Sequence, residues 1–241
     1  MTSIEKKRAL ITGASSGIGK ATALAFAKMG VDLALVGRSL EKLEAVASAA
    51  RQTDVDAKIY AVDLSQINTV SEKIAAIAAD LGAVDILVNN AGMGYTGALS
   101  ATSLSDWQKV MDLNLTSVFG CILAVLPTMR DRGGGTIINI ASIAGQTPFP
   151  NWGAYSVSKA GLIALAKTLA AEEGANGIRV TTICPGAVNT ELWDSETVQH
   201  NFDRSAMLTP EIVAQSIVHT ALLPAPAAIA ELTLMPSSGA L

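Results

Sequence analysis

Residues 8–30 restrict the fold more than any other stretch. Arg8-Ala9-Leu10-Ile11 is a short apolar strand, and Thr12-Gly13-Ala14-Ser15-Ser16-Gly17-Ile18-Gly19 follows it without a spacer. Lys20 to Met29 is then an alanine-rich helical run that stops at Gly30. A strand, a glycine-rich turn and a helix make the geometry that lays a phosphate on a helix N-terminus. Glycine permits the tight turn and lets backbone N–H groups approach a ligand. The spacing is G-x-x-x-G-x-G rather than the usual dinucleotide G-x-G-x-x-G, so a purely structural turn stays open here.

The rest of the chain repeats this alternation. Asp32 to Val36 is a second strand, Leu40 to Gln52 an amphipathic helix, and Ala57 to Val62 a third strand ending in Asp63-Leu64. Val70 to Leu81 is a helix, and Val84 to Val88 a fourth strand that stops at Asn89-Asn90-Ala91-Gly92. Leu104 to Arg130 reads as helical with a break near Asn114, and Thr136 to Ala141 as a buried strand. A helix from Tyr155 to about Gly174, a strand at Arg179 to Cys184, a helix from Pro210 to Leu223 and a strand at Ala230 to Leu234 complete the pattern. Such alternation predicts βαβ units and a parallel, doubly wound sheet. Residues 118–126 are apolar almost all round, which predicts burial within the domain or by a partner. Glu191 to Leu208, with Trp193, His200 and Phe202, has weak periodicity and is a candidate lid.

Open α/β sheets bind ligands at the C-terminal ends of their strands. Asp63 and Asn89 stand there, although both residue types serve more commonly as turn or cap residues. An Asp or Glu after the second strand would bond the 2′-hydroxyl of NAD and repel a 2′-phosphate. This chain has Gly37 and Arg38 instead, and a guanidinium suits a phosphate in charge and shape. The plainer reading of Arg38 is a solvated loop cation.

The stretch from Ser142 to Lys159 carries the chemistry. Tyr155 and Lys159 are four apart and share one helix face. A nearby ammonium favours tyrosinate and so draws a phenol with an ordinary pKa of ~10 toward neutral pH, where it can exchange protons. Ser142 ends the buried strand, where its hydroxyl can bond a substrate oxygen as charge develops. The pair alone is equally consistent with an ordinary helix surface.

Composition narrows the classes. Half of the 241 residues are hydrophobic and 16% are charged, apolar enough to predict surface hidden in subunit contacts. A net charge of −4 with dispersed basic residues argues against a nucleic-acid surface. We expect no signal peptide and no apolar run approaching the ~18 residues that span a bilayer. Cys121 and Cys184 lie in apolar contexts without CxxC spacing, as small core residues of a reduced, cytoplasmic protein. His200 and His219 are isolated, which disfavours a metal site and a Ser-His-Asp hydrolase.

Taken together, Thr12-Gly13 through Gly19, Asp63, Asn89-Asn90-Ala91-Gly92, Asn114, Ser142, Tyr155, Lys159 and Pro185-Gly186 resemble the short-chain dehydrogenase/reductase superfamily over essentially the whole chain. The resemblance implies an α/β, single-domain Rossmann fold over residues 1–241. Its doubly wound parallel seven-stranded sheet would have order 3-2-1-4-5-6-7 and helices on both faces. It implies hydride transfer between NADP(H) and a ketone or alcohol. By the same resemblance Tyr155 is the proton donor, Lys159 lowers its pKa and holds the nicotinamide ribose, and Ser142 positions the substrate oxygen. Asn114, which the residues alone leave as a cap, a kink or a water site, would complete a proton relay. The cofactor contacts it implies are Gly13, Ser15, Ser16, Gly17, Ile18, Gly19, Arg38, Asp63, Leu64, Asn89, Ala91, Gly92, Tyr155, Lys159, Pro185, Gly186, Val188 and Thr190. Apolar helices near 115–129 and 153–170 imply a homotetramer.

Within the superfamily, length and pattern resemble the 3-oxoacyl-acyl-carrier-protein reductases, whose substrate is an acyl thioester. Those reductases hold the acidic carrier with basic residues. Here Leu169-Ala170-Ala171-Glu172-Glu173 has acids at one such place, while Arg130 and Arg132 remain available on the other side. A third expectation, a cofactor-sensing regulator without catalysis, is disfavoured because such proteins typically lose the tyrosine or the lysine.

Overall fold

The short apolar runs bounded by turns become strands, and the central ones are buried on both faces, as parallel sheets require. The computed structural model describes residues 6–199 and 203–237, so His200 and Phe202 lie outside the described residues. The strands are β1 (Arg8–Thr12), β2 (Asp32–Gly37), β3 (Ala57–Ala61), β4 (Ile86–Asn89), β5 (Gly135–Ile140), β6 (Ile178–Pro185) and β7 (Glu231–Leu234). They form one parallel sheet in the order β3-β2-β1-β4-β5-β6-β7. The expected order is borne out, with boundaries shifted by one or two residues.

Side-chain alternation along the strands divides the core into two layers. Leu10, Leu87 and Ile137 point to one face, under α3 (Ile67–Leu81), α5 (Ser117–Asp131) and α6 (Gly153–Glu173). Ala9, Ile11, Val88 and Ile138 point to the other, under α1 (Gly17–Lys28), α2 (Leu40–Arg51) and α7 (Pro210–Ala221). The remaining helix, α4 (Leu104–Met111), leads into α5. Both cysteines are free and buried, as expected.

Three expectations are corrected. The break near Asn114 is a π-helical turn, Asp112–Thr116, that joins α4 to α5 without interrupting the helix. The continuous helix Leu104–Asp131 therefore is long and apolar enough, by length and composition, to cross a membrane. Here it serves as a core helix: Val118, Cys121, Ile122, Val125 and Met129 are buried against the sheet. Its burial is also not complete all round, because Phe119 and Leu123 are each 48% exposed. Third, Arg130 and Arg132 are not available cations. Arg130 forks onto Glu173, with Nε donating to Oε2 at 2.9 Å and Nη2 to Oε1, and it holds that carboxyl well below its ordinary range. Arg132 stands 3.7 Å from Asp85 Oδ1.

Candidate active site

The glycine turn is built for a backbone-lined cradle. Gly13 has φ +64°, which a β-carbon disfavours, and a β-carbon on Gly19 would fall 2.2 Å from the Gly13 carbonyl oxygen. Ser16 is the extended N-cap of α1, yet its side chain makes no capping bond, and the first turn carries no acid. The helix N-terminus is thus left with its positive dipole end and amides uncapped by side chains, which suits an anion. Ile18 turns inward and packs on the core. Thr190 lies against the turn from the β6 side, its methyl 3.1 Å from the β-carbon position of Gly17. A cleft of about 350 Å³, lined by Gly17, Lys20, Thr190 and Arg204 among others, opens beside it.

The strand ends complete the cradle. Gly37 ends β2 with Ser15 beside it, Ser15 Oγ lying 3.5 Å from the glycine's β-carbon position. Arg38 follows, exposed, and its charge helps hold the Asp63 carboxyl low, after the larger effect of hydrogen bonds from Ser65. Asp63 does act as a turn residue: its Oδ1 accepts from Ser65 N at 3.0 Å and Ser65 Oγ at 2.8 Å. Leu64 is buried in the core. The Asn89 side chain turns to β5, donating to Asn139 Oδ1 at 2.8 Å, so it meets a neighbouring strand rather than the cleft. Pro185 ends β6, and Gly186 N donates to Leu234 O at 2.7 Å, while Val188 is buried.

Thr12, read in the sequence only as the start of the glycine motif, is a structural part of this site. Its Oγ1 accepts from Asn90 N and Ala91 N, both at 3.0 Å, while Asn90 Nδ2 donates to the carbonyls of Thr12 and Gly13. One hydroxyl and one carboxamide thereby lock the loop after β4 to the glycine turn.

Ser142, Tyr155, Lys159 and Asn114 converge beside that lock. Ser142 is extended, and its Oγ accepts from Ala144 N at 3.1 Å. The short turn it caps lies against α6: a β-carbon on Gly145 would stand 2.7 Å from the Lys159 carbonyl carbon. Burial pushes the Tyr155 phenol up, and a hydrogen bond with the Ser142 side chain pulls it partly back. The expected lowering by Lys159 is not found: desolvation of the phenolate sets the direction, and the only opposing effect among the described residues is the bond with Ser142. Lys159 Nζ lies 5.7 Å from the Tyr155 ring centroid and donates to the Ile140 carbonyl at 2.8 Å. Burial lowers its pKa to about 8, so it still carries a proton at neutral pH.

Asn114 is fully buried in the π-helical turn. Its Oδ1 accepts from Met93 N at 2.8 Å, and its Nδ2 donates to Met93 O at 2.9 Å and to Ser158 Oγ at 3.1 Å. Ser158 in turn donates to the Tyr155 carbonyl at 2.7 Å. Asn114 Oδ1 and Lys159 Nζ flank Gly92, at 3.2 and 3.6 Å from its β-carbon position. Ser158 is a second structural residue that sequence reading missed, since one more small residue on an apolar helix gives no signal.

Comparison with known proteins agrees with this geometry. A family model described as short chain dehydrogenase matches residues 7–201. The chain is a short-chain dehydrogenase. Among relatives of this short-chain dehydrogenase, an uncharacterized oxidoreductase of Mycobacterium tuberculosis is 38% identical over 225 residues, which cover 90% of this chain and 65% of the relative. A 3-oxoacyl-[acyl-carrier-protein] reductase of Synechocystis is 36% identical over 233 residues, covering 95% of this chain and 94% of the relative. Among solved structures, an alcohol dehydrogenase of the archaeon Thermococcus sibiricus, complexed with 5-hydroxy-NADP, superposes with a TM-score of 0.88 at 30% identity and 97% coverage of each chain. The short-chain dehydrogenases use a nicotinamide cofactor, and the uncapped helix terminus and Gly13–Gly19 cradle of this one fit its pyrophosphate.

Proposed function

We propose that this short-chain dehydrogenase reduces a ketone to a secondary alcohol with NADPH, Tyr155 giving the proton. The observation that carries the reading is the convergence of the Ser142 hydroxyl, the Tyr155 phenol and the Lys159 ammonium at the C-terminal ends of β4 and β5. When bound, the cofactor supplies the hydride. Ser142 donates a hydrogen bond to the substrate oxygen, and Tyr155 delivers a proton to the same atom. Lys159, anchored on Ile140, supports the phenolate that remains. Asn114 holds its turn against Met93 and Ser158, and a relay from Lys159 past Asn114 would return the proton. Gly13, Ser15, Ser16, Gly17, Ile18 and Gly19 would hold the pyrophosphate end. Asp63, Ala91 and the backbone at Leu64 and Asn89 would line the adenine and ribose side, while Gly92 lies beside Asn114 and Lys159. Pro185, Gly186, Val188 and Thr190 would line the nicotinamide side. The test is a screen of ketones and acyl thioesters with NADPH and NADH, followed by absorbance of the reduced cofactor; turnover of no ketone would sink the reading.

The carrier-protein reading is supported by the Synechocystis relative. The ion pairs at Arg130 and Arg132 weigh against it, because an acidic carrier would have to compete with Glu173 and Asp85 for them. We expect a free ketone to turn over faster than any carrier-linked 3-oxoacyl thioester, compared by kcat/KM in the same assay. A regulator without catalysis is disfavoured by the retained Tyr155 and Lys159.

Assembly is also part of the proposal. Phe119 and Leu123 on α5 and Val157 on α6 are each 48% exposed, an apolar face on two adjacent long helices. A second copy across a twofold axis covers such a face with the same face. Light scattering at micromolar concentration should return the mass of a homotetramer; a monomer of 24.8 kDa would overturn this.

A further inference from the structure

The segment after β6 lies down on the loop after β4. A β-carbon on Gly94 would meet Val198 Cγ2 at 2.6 Å and Leu192 Cδ2 at 2.9 Å, so the two segments touch at the backbone. Thr96 N donates to Thr197 O at 2.8 Å, Thr197 Oγ1 to Gly94 O at 2.7 Å, and Gln199 N to Thr96 Oγ1 at 2.7 Å. Arg204 fastens the other side, donating to Asn189 Oδ1 at 2.8 Å, Asp194 Oδ1 at 2.6 Å and Thr190 O at 2.9 Å. The described part of the candidate lid is therefore closed.

Closure brings Trp193 to the catalytic tyrosine through one intermediate ring. Trp152 meets the Tyr155 ring edge-on, centroids 5.3 Å apart at 66°. Trp193 meets Trp152 edge-on in turn, at 5.9 Å and 74°. The Trp193 indole N–H donates to the Val188 carbonyl at 2.8 Å, which fixes the ring's direction. Edge-to-face contact at these separations is the favourable arrangement for aromatic pairs. The wall so made is apolar and consists of two stacked-on-edge indoles, Trp152 next to the tyrosine and Trp193 beyond it.

We propose that Trp193 is the specificity-determining residue of this site, closing a wall that restricts the substrate to ketones with compact apolar substituents. This rests on the ketone-reduction reading above and adds the size of the substrate to it. A bulky substituent must displace Trp193 from Trp152 and break its bond to Val188, whereas a compact one leaves the closed lid intact. The expectation is opposite for a long acyl thioester, which needs an open channel past this wall.

The test measures kcat/KM with NADPH for butanone, acetophenone and 2-acetylnaphthalene in the unmodified enzyme, Trp193→Phe and Trp193→Ala. One missing methylene in an apolar pocket shifts selectivity by about tenfold or more. Trp193→Ala should raise the acetylnaphthalene-to-butanone ratio by at least ~10-fold, while Trp193→Phe, which keeps a flat ring, stays nearer the unmodified enzyme. An unchanged ratio in Trp193→Ala overturns the proposal. If the unmodified enzyme reduces none of the three, the ketone-reduction reading fails instead, and thermal-shift titration of the same ketones reads the size profile by binding. A preference for larger ketones in Trp193→Ala then upholds the assignment of the wall, and no change in preference refutes it.

Discussion

Tyr155→Phe should lower kcat by ~10²–10⁴-fold while leaving NADPH affinity nearly unchanged, the contribution general acid–base catalysis typically makes. The substitution removes one hydroxyl and keeps the ring, so the edge contact with Trp152 and the packing of α6 persist. What is lost is the proton donor and its hydrogen bond with Ser142. The environment of that phenol makes the expectation sharper. Burial raises its pKa, so it is fully protonated at neutral pH and ready to act as an acid. Its difficulty comes after the transfer, when a phenolate is left in a desolvated site. Lys159 answers that difficulty only while charged, and with a pKa of about 8 it is mostly charged at pH 7 and mostly neutral above pH 9. For ketone reduction the sign is therefore a rate held below pH 8 and falling above it. A fall of less than tenfold in Tyr155→Phe, measured with saturating ketone and NADPH, would mean that the proton donor lies elsewhere.

How much of this could be read from the chain differs from residue to residue, for physical reasons. The sheet was legible because central parallel strands are covered on both faces and so appear as unbroken apolar runs, Leu33-Ala34-Leu35-Val36 being one. The cradle was legible because Gly13 and Gly19 sit where no side chain fits, and glycine is the trace such places leave. The π-helical turn at Asp112–Thr116 was not, since one extra residue in a turn barely disturbs an apolar pattern and Asn114 read as a break. Thr12 was seen as part of a motif, but its tie to Asn90 and Ala91 joins positions far apart in the chain. The direction of the Tyr155 shift was missed because four-residue spacing to Lys159 reports a neighbour and says nothing of desolvation. Arg130 looked free for the same reason: its partner Glu173 is brought to it because α5 and α6 cover the same face of the sheet.

Cofactor choice rests on the end of β2, and there we expect NADPH to be preferred over NADH in kcat/KM by at least ~10-fold. Gly37 offers no carboxylate for a 2′-hydroxyl, and the exposed Arg38 places a planar cation where a 2′-phosphate would lie. Its charge adds a small part to the lowering of the Asp63 carboxyl, after the hydrogen bonds from Ser65, so the two side chains stand within reach of one another's field. A hydrogen bond to a charged group contributes a net ~1.5–3 kcal/mol, which at ~1.4 kcal/mol per decade is about ten- to a hundredfold in affinity. Ser16 limits the effect, because the glycine turn carries no second basic residue at that position. Arg38→Ala should therefore weaken NADPH selectively and leave NADH nearly untouched. Gly37→Asp should reverse the preference by repelling the phosphate. The new β-carbon would stand 3.5 Å from Ser15 Oγ and 3.3 Å from Cδ2 of the buried Leu43, which must give by a few tenths of an ångström. Measured against both cofactors, an equal loss in Arg38→Ala would make Arg38 a loop cation only. An unmodified enzyme that already favours NADH would refute the argument from this strand end, since nothing else at the end of β2 distinguishes the two ribose groups.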